Sequence, residues 1–142
     1  MKQYIALTLF LIATFSAFAQ KKERIKGNRE VTTVIYEIDP FTTLEVTEEL
    51  EIILLNGTTP QVEVITDENL HDVFNIDVVD GTLNISTSME IRSSKKLEIF
   101  VTVSEDLQRI HAANEAELKS LTTLNLNKTE INVPVSYTHL RA

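Results

Sequence analysis

Apolar residues at every second position, in short runs closed by turn residues, constrain this chain more than any other feature. The cleanest run is Leu97-x-Ile99-x-Val101-x-Val103. Shorter ones are Leu44-x-Val46, Leu50-x-Ile52, Val62-x-Val64, Ile76-x-Val78 and Leu83-x-Ile85. Successive side chains of a strand point to opposite faces, so period two puts each apolar set on one face. Val31–Tyr36 (Val-Thr-Thr-Val-Ile-Tyr) adds a β-branched run that Asp39-Pro40 ends. Asn56-Gly57 marks a turn. Asp80-Gly81 marks a hairpin, because both residues tolerate the positive φ that a tight turn demands. Only Asp67–Phe74 has helical character, with Asp67 as its cap and Leu70, Val73 and Phe74 on one face. The pattern predicts an all-β fold.

The runs also repeat. Phe41, Leu44, Val46, Leu50 and Ile52 have the same spacing as Leu107, Ile110, Ala112, Ala116 and Leu118, 66 residues on. Leu121, Leu124 and Leu126 begin the pattern again after another 14 residues. Short strands that each bury an apolar side on the next are the units of β-solenoids. The expected architecture is therefore a solenoid-like stack of short strands. Its last copy would leave an open sheet edge at Val133, which favours further coils or a cap and hence a chain truncated at its C-terminus.

The two ends differ in kind from the body. Lys2, the apolar run Tyr4–Thr14 and the small residues Ala17 and Ala19 read as a secretory signal peptide over residues 1–19, cleaved before Gln20. The apolar run is too short to cross a bilayer, so no transmembrane segment is expected after cleavage. No cysteine follows it to carry a lipid, and none occurs anywhere for disulfides. Residues 20–29 are basic and aperiodic, and read as a flexible linker. Residues 30–133 read as the β domain. Residues 134–142 (Pro-Val-Ser-Tyr-Thr-His-Leu-Arg-Ala) back-translate into a transposase adaptor of shotgun sequencing libraries, so they read as a non-native tail. From Glu30 to Val133 the body holds 6 basic and 20 acidic residues. Such a surface repels phosphate backbones, which excludes nucleic acid as a natural partner.

A set of motifs occurs in one order: Ile25-Lys26-Gly27-Asn28, Val31-Thr32-Thr33, Phe41-x-x-Leu44-x-Val46, Val62-x-Val64-x-x-Asp67-x-Asn69-Leu70, Asp80-Gly81-Thr82-Leu83-x-Ile85 and Leu97–Val103. In this the chain resembles the bacterial family described as putative auto-transporter adhesin, head GIN domain, found in exported proteins of Bacteroidota. The resemblance covers residues 26–133. It implies an all-β fold of right-handed β-helix character and a periplasmic or cell-surface role, with adhesion as a label. The family's small Ser-Gly-Gly-like corners are replaced here by Thr47-Glu48-Glu49 and Ala113-Asn114-Glu115. Either Asn114 takes the left-handed conformation glycine would supply, or the corners are built differently.

Chemistry-bearing constellations are sparse. Glu48, Glu49 and Glu51, with Glu45, form the densest acidic group and are Ca²⁺ candidates, since hard cations take several oxygens. The alternative is a solvated strand face. Glu115 and Glu117 hold the equivalent place in the later copy. Arg92, Lys95 and Lys96 form the one basic cluster of the body, and His71 and His111 lack metal-ligand spacing. Phosphate-loop, dinucleotide and serine-elbow motifs do not occur. Trp is absent and Tyr36 is the only tyrosine outside the two ends, so no aromatic platform marks a sugar subsite. No catalytic residue and no cofactor is assigned. The expected function is a non-enzymatic exported module binding an envelope or extracellular ligand, glycan or protein. The competing class is a polysaccharide lyase or hydrolase on a β-helix, which needs an acid pair or a base with a cationic cluster.

Overall fold

A computed structural model describes residues 21–132. The signal peptide with Ala17, Ala19 and Gln20, and the tail 134–142, lie outside the described residues. Twelve strands are present among those described: β1 (Arg24–Lys26), β2 (Val31–Glu37), β3 (Thr43–Val46), β4 (Glu51–Asn56), β5 (Gln61–Asp67), β6 (Phe74–Val79), β7 (Thr82–Thr87), β8 (Glu90–Ser93), β9 (Leu97–Val103), β10 (Arg109–Ala112), β11 (Glu117–Ser120) and β12 (Glu130–Asn132). A 3₁₀ helix, Glu68–Val73, joins β5 to β6. The fold is all-β.

Two five-stranded sheets carry it, ordered β12-β10-β3-β7-β6 and β11-β4-β9-β5-β2, with β1 and β8 as a parallel pair beside them. Their facing sides bury one core that includes Leu44, Ile52, Leu83, Ile99, Ile110 and Leu118. Burying an Ile or Leu side chain stabilises by about 1.5–3 kcal/mol relative to exposure. The alternating runs supply this core directly. β9 spans the predicted Leu97–Val103 and buries Ile99, Val101 and Val103. Asp80 (φ 51°) and Gly81 (φ 74°) form the predicted hairpin turn between β6 and β7.

The 66-residue repeat is a physical register. β3 pairs in parallel with β10, Leu44 beside Ile110 and Val46 beside Ala112, and β4 pairs with β11, Ile52 beside Leu118. The third copy is not. Leu121 is 68% exposed, and β10 instead continues into β12 with Ile110 beside Ile131. Nor do the sheets form the expected solenoid. They are open, and β3 and β4 lie between strands that come later in the chain. One flank of each sheet is antiparallel: β6 on β7, and β5 and β2 beyond β9. The physical reason is chain reversal where a coil would carry it forward: at the Asp80-Gly81 hairpin between β6 and β7, and in the connection after Asn56-Gly57 between β4 and β5, which run in opposite directions on either side of β9.

The helical expectation shifts too. Leu70 and Val73 are buried in the 3₁₀ turn, but Phe74 already belongs to β6 and the Asp67 side chain makes no cap bond. In the segment expected to be a linker, β1 pairs with β8, and Asn28 and Arg29 are bonded to the body.

Candidate functional site

Four connections meet at one end of the sheets: β2 to β3, β4 to β5, β9 to β10 and β11 to β12. Each begins or ends where the sequence stops alternating, at Asp39-Pro40, Asn56-Gly57, Ser104-Glu105-Asp106 and the stretch around Asn125. Together they enclose a half-open groove of about 730 Å³. Its floor is the almost buried ring of Phe41. Its walls carry hydroxyls, amides and carboxylates from Thr42, Thr58, Ser104, Glu105, Asp106 and Gln108. Among the described residues, no Lys, Arg or His lines it.

The loops are fixed to one another mainly through the backbone. Thr42 and Thr43 donate their amides to the Gly81 carbonyl (2.9 and 3.2 Å), while the Thr42 carbonyl accepts from Gln108 and Arg109 (2.8 and 3.1 Å). Gly57 donates to the Val103 carbonyl at 3.0 Å. Asn56 braces the last loop: its Nδ2 donates to the Thr123 carbonyl (2.6 Å) and its Oδ1 accepts from the Asn125 amide (3.2 Å). The groove is therefore preorganised, with its hydroxyl and carboxylate groups mounted on a rigid scaffold.

The Ca²⁺ candidates lie elsewhere, at the turn between β3 and β4. Lys22 is ion-paired to Glu48, and Lys119 to Glu51 at 2.7 Å. Glu49 sits in the intervening turn, where the Leu50 amide donates to the Glu48 carbonyl (2.8 Å). The hydrogen bond to Glu51 raises the Lys119 pKa against the opposing effect of burial, and the charges of Glu51 and Glu117 add to it. Among the described residues, no three carboxylate or imidazole groups are placed to hold one metal ion. Glu117 does stand beside Glu51, as the repeat predicts. The neighbouring corner uses asparagine in place of glycine. Asn114 (φ 52°) and Glu115 (φ 65°) are both left-handed, and Asn114 Nδ2 donates to the Thr47 carbonyl one strand pair below (2.8 Å).

Asp67 has a role that its sequence position did not reveal. It is fully buried at the end of β5. Its Oδ2 accepts from the Arg29 amide (2.9 Å), and its Oδ1 from the Lys95 and Lys96 amides (2.9 and 3.4 Å). Burial pushes its pKa up. The three amide bonds and the Arg29 charge outweigh burial, so the net shift is downward. Asn69 completes the clasp: its Oδ1 accepts from the Asn28 amide (2.8 Å) and its Nδ2 donates to the Lys26 carbonyl (2.9 Å). Gly27 lies flat on this carboxylate, and a Cβ there would overlap it. The motifs Lys26-Gly27-Asn28 and Asp67-x-Asn69, some 40 residues apart, are thus the two halves of one joint.

Of the remaining residues singled out by sequence, His71 Nε2 lies 2.9 Å from the Thr32 hydroxyl while its Nδ1 is buried without a partner, and Lys96 pairs with Glu98 at 3.1 Å. Neither lies on the groove.

The sequence profile described as putative auto-transporter adhesin, head GIN domain matches residues 40–138. The chain belongs to this family. No protein of curated function matches it. Among solved structures it is similar to a putative adhesin from Parabacteroides merdae, with a TM-score of 0.65 and 24% identity over 78% of this chain and 47% of that one. It is also similar to a putative lipid binding protein from Parabacteroides distasonis (TM-score 0.65, 23% identity, 78% and 49%). A putative adhesin from Bacteroides fragilis aligns with a TM-score of 0.59 at 21% identity, over 77% of this chain and 55% of that one. At these identities the likeness establishes the fold. The chain spans about half the length of these structures.

Proposed function

We propose that this head GIN domain is a non-enzymatic, exported binding module of the cell envelope whose groove takes a hydroxyl-rich ligand, a glycan or a glycosylated protein. The observation that carries the reading is the groove itself: side chains able to bond sugar hydroxyls converge from four loops on a rigid sheet end. Export rests on the signal peptide of residues 1–19 and on the family's adhesin character.

The competing reading is a polysaccharide lyase or hydrolase. Glu105 and Asp106 would be its carboxylates, yet among the described residues no basic side chain lines the groove to hold a uronate or take up its charge. The groups whose pKa values are displaced, Tyr36, Asp67 and Lys119, lie away from it.

A glycan panel, scored for binding and for new reducing ends, tests the reading. The expected result is retention of one glycan class without turnover, weakened about tenfold or more by Asp106→Ala, as for loss of a charge-assisted hydrogen bond. Sustained release of reducing ends would sink it in favour of the enzyme.

A further inference from the structure

Asn56-Gly57 is the one Asn-Gly pair of the chain, and both residues line the groove. Such a pair carries chemistry of its own. The glycine nitrogen, with no side chain to shield it, can attack the asparagine Cγ. The new N–Cγ bond closes a succinimide ring, the Cγ–Nδ2 bond breaks, and ammonia leaves with the proton of the glycine nitrogen. Water then opens the ring at either carbonyl and leaves aspartate or isoaspartate. Water is the only co-reactant.

Three bonds oppose this reaction. Asn56 is the last residue of β4, extended and in register with Val103 of β9. The nucleophile is engaged, because Gly57 donates its amide to the Val103 carbonyl at 3.0 Å. The leaving group is engaged, because Nδ2 donates to the Thr123 carbonyl at 2.6 Å. Oδ1 accepts from the Asn125 amide at 3.2 Å. Both side-chain bonds reach the connection between β11 and β12, 67 and 69 residues on. Cγ must turn toward the Gly57 nitrogen before it can be attacked, so Asn56 must first let go of that wall. Packing meanwhile retains the reactive glycine: a Cβ at Gly57 would stand 2.5 Å from the Thr102 methyl.

We propose that Asn56 is both the latch of the groove and its deamidation site: the closed wall at residues 123–125 slows the reaction, and the product opens that wall. An aspartate at this position has no proton to offer the Thr123 carbonyl. Two oxygens, one of them charged, would meet where Nδ2 now donates, and an acceptor left facing an acceptor costs more than a lost bond. Isoaspartate adds a methylene to the main chain between β4 and its turn, which also displaces the bond from Gly57 to Val103. The change runs one way, since neither product restores the Nδ2 donor. The latch works in this manner whatever ligand the groove takes.

Peptide mapping by mass spectrometry, after incubation in warm, mildly alkaline buffer, tests the first half. Asn125→Pro removes the amide that holds Oδ1, and Leu124→Ala loosens the same wall from the core by another route. Each should deamidate at Asn56 about fivefold faster than the wild type or more, as for loss of one hydrogen bond. Hydrogen exchange tests the second half. In Asn56→Asp the amides of residues 121–126 should exchange about fivefold faster or more, with those of β9 unchanged. Equal deamidation rates in the wild type and both wall variants overturn the proposal. So does a folded wild type that deamidates at Asn56 as fast as the chain unfolded in urea, and so does an Asn56→Asp wall that exchanges as slowly as the wild type.

Discussion

The two ends of the strand stack are built on opposite principles. At the β2 and β6 end the strands run antiparallel, and the 3₁₀ helix sends Leu70 and Val73 into the core beneath them. Tyr36 lies there, its pKa raised by burial and by the charge of Asp72, and the Asp67–Asn69 clasp ties residues 26–29 across the same end. At the β11 and β12 end the pairing is parallel, β12 is three residues long, and Leu121 and Ile131 are 68% and 45% exposed. One end packs the side chains of a 3₁₀ turn beneath its strands, although Val31, Ile35 and Val79 on its edge strands are exposed. The other end has no such turn among the described residues. The lesson is that one repeating strand pattern does not make equivalent ends: a cap needs non-repeating residues, and here they are concentrated in Asp67–Val73.

The comparison breaks most visibly at Leu70. Leu70→Ala empties a fully buried position of the closed end and should cost about 2–5 kcal/mol in urea unfolding. A loss below about 0.5 kcal/mol would show that the 3₁₀ turn does not hold the core. Asp67 gives the next effect. Its folded pKa is lowered below 3.8, so its contribution to stability is present above that value and drains as pH falls through the folded pKa. Asp67→Asn should therefore melt at a lower temperature than wild type at neutral pH, with the gap narrowing as the pH falls below the ordinary carboxylate range and the wild-type carboxyl protonates. A gap independent of pH would mean that the charge is irrelevant to the clasp. Smallest is the open end: Leu121→Ser should change stability by no more than about 0.5 kcal/mol, since its side chain already faces solvent. A larger loss in a denaturation experiment would make that end as closed as the other.

Much of the scaffold was legible because alternation is a local property. Ile99, Val101 and Val103 announce which face of their strand is buried without reference to any other residue. Asp80-Gly81 announces its turn because the φ requirement is met or refused by those two residues alone. Even the pairing of Leu44 with Ile110 could be read, since a stacked repeat turns sequence offset into register. The same logic failed in the third copy: Leu121 is exposed, and Leu124 and Leu126, though packed on the core, form no strand in register with β10. Period two is common in any β protein and names no partner.

The sequence by itself determined the alternating strands of the body and their buried faces, the hairpin at Asp80-Gly81 and the 66-residue register, but not β1, β8 or β12. Only the tertiary structure decided the order of strands in the sheets, the convergence of four loops on one groove, and the conversion of Asp67 from an expected helix cap into a buried clasp. The reason is the range of the forces involved. Strand and turn preferences act between neighbours. The Asp67 carboxylate, in contrast, finds the amides of Arg29 and Lys95 across separations of 38 and 28 residues, and nothing local to Asp67 names either one.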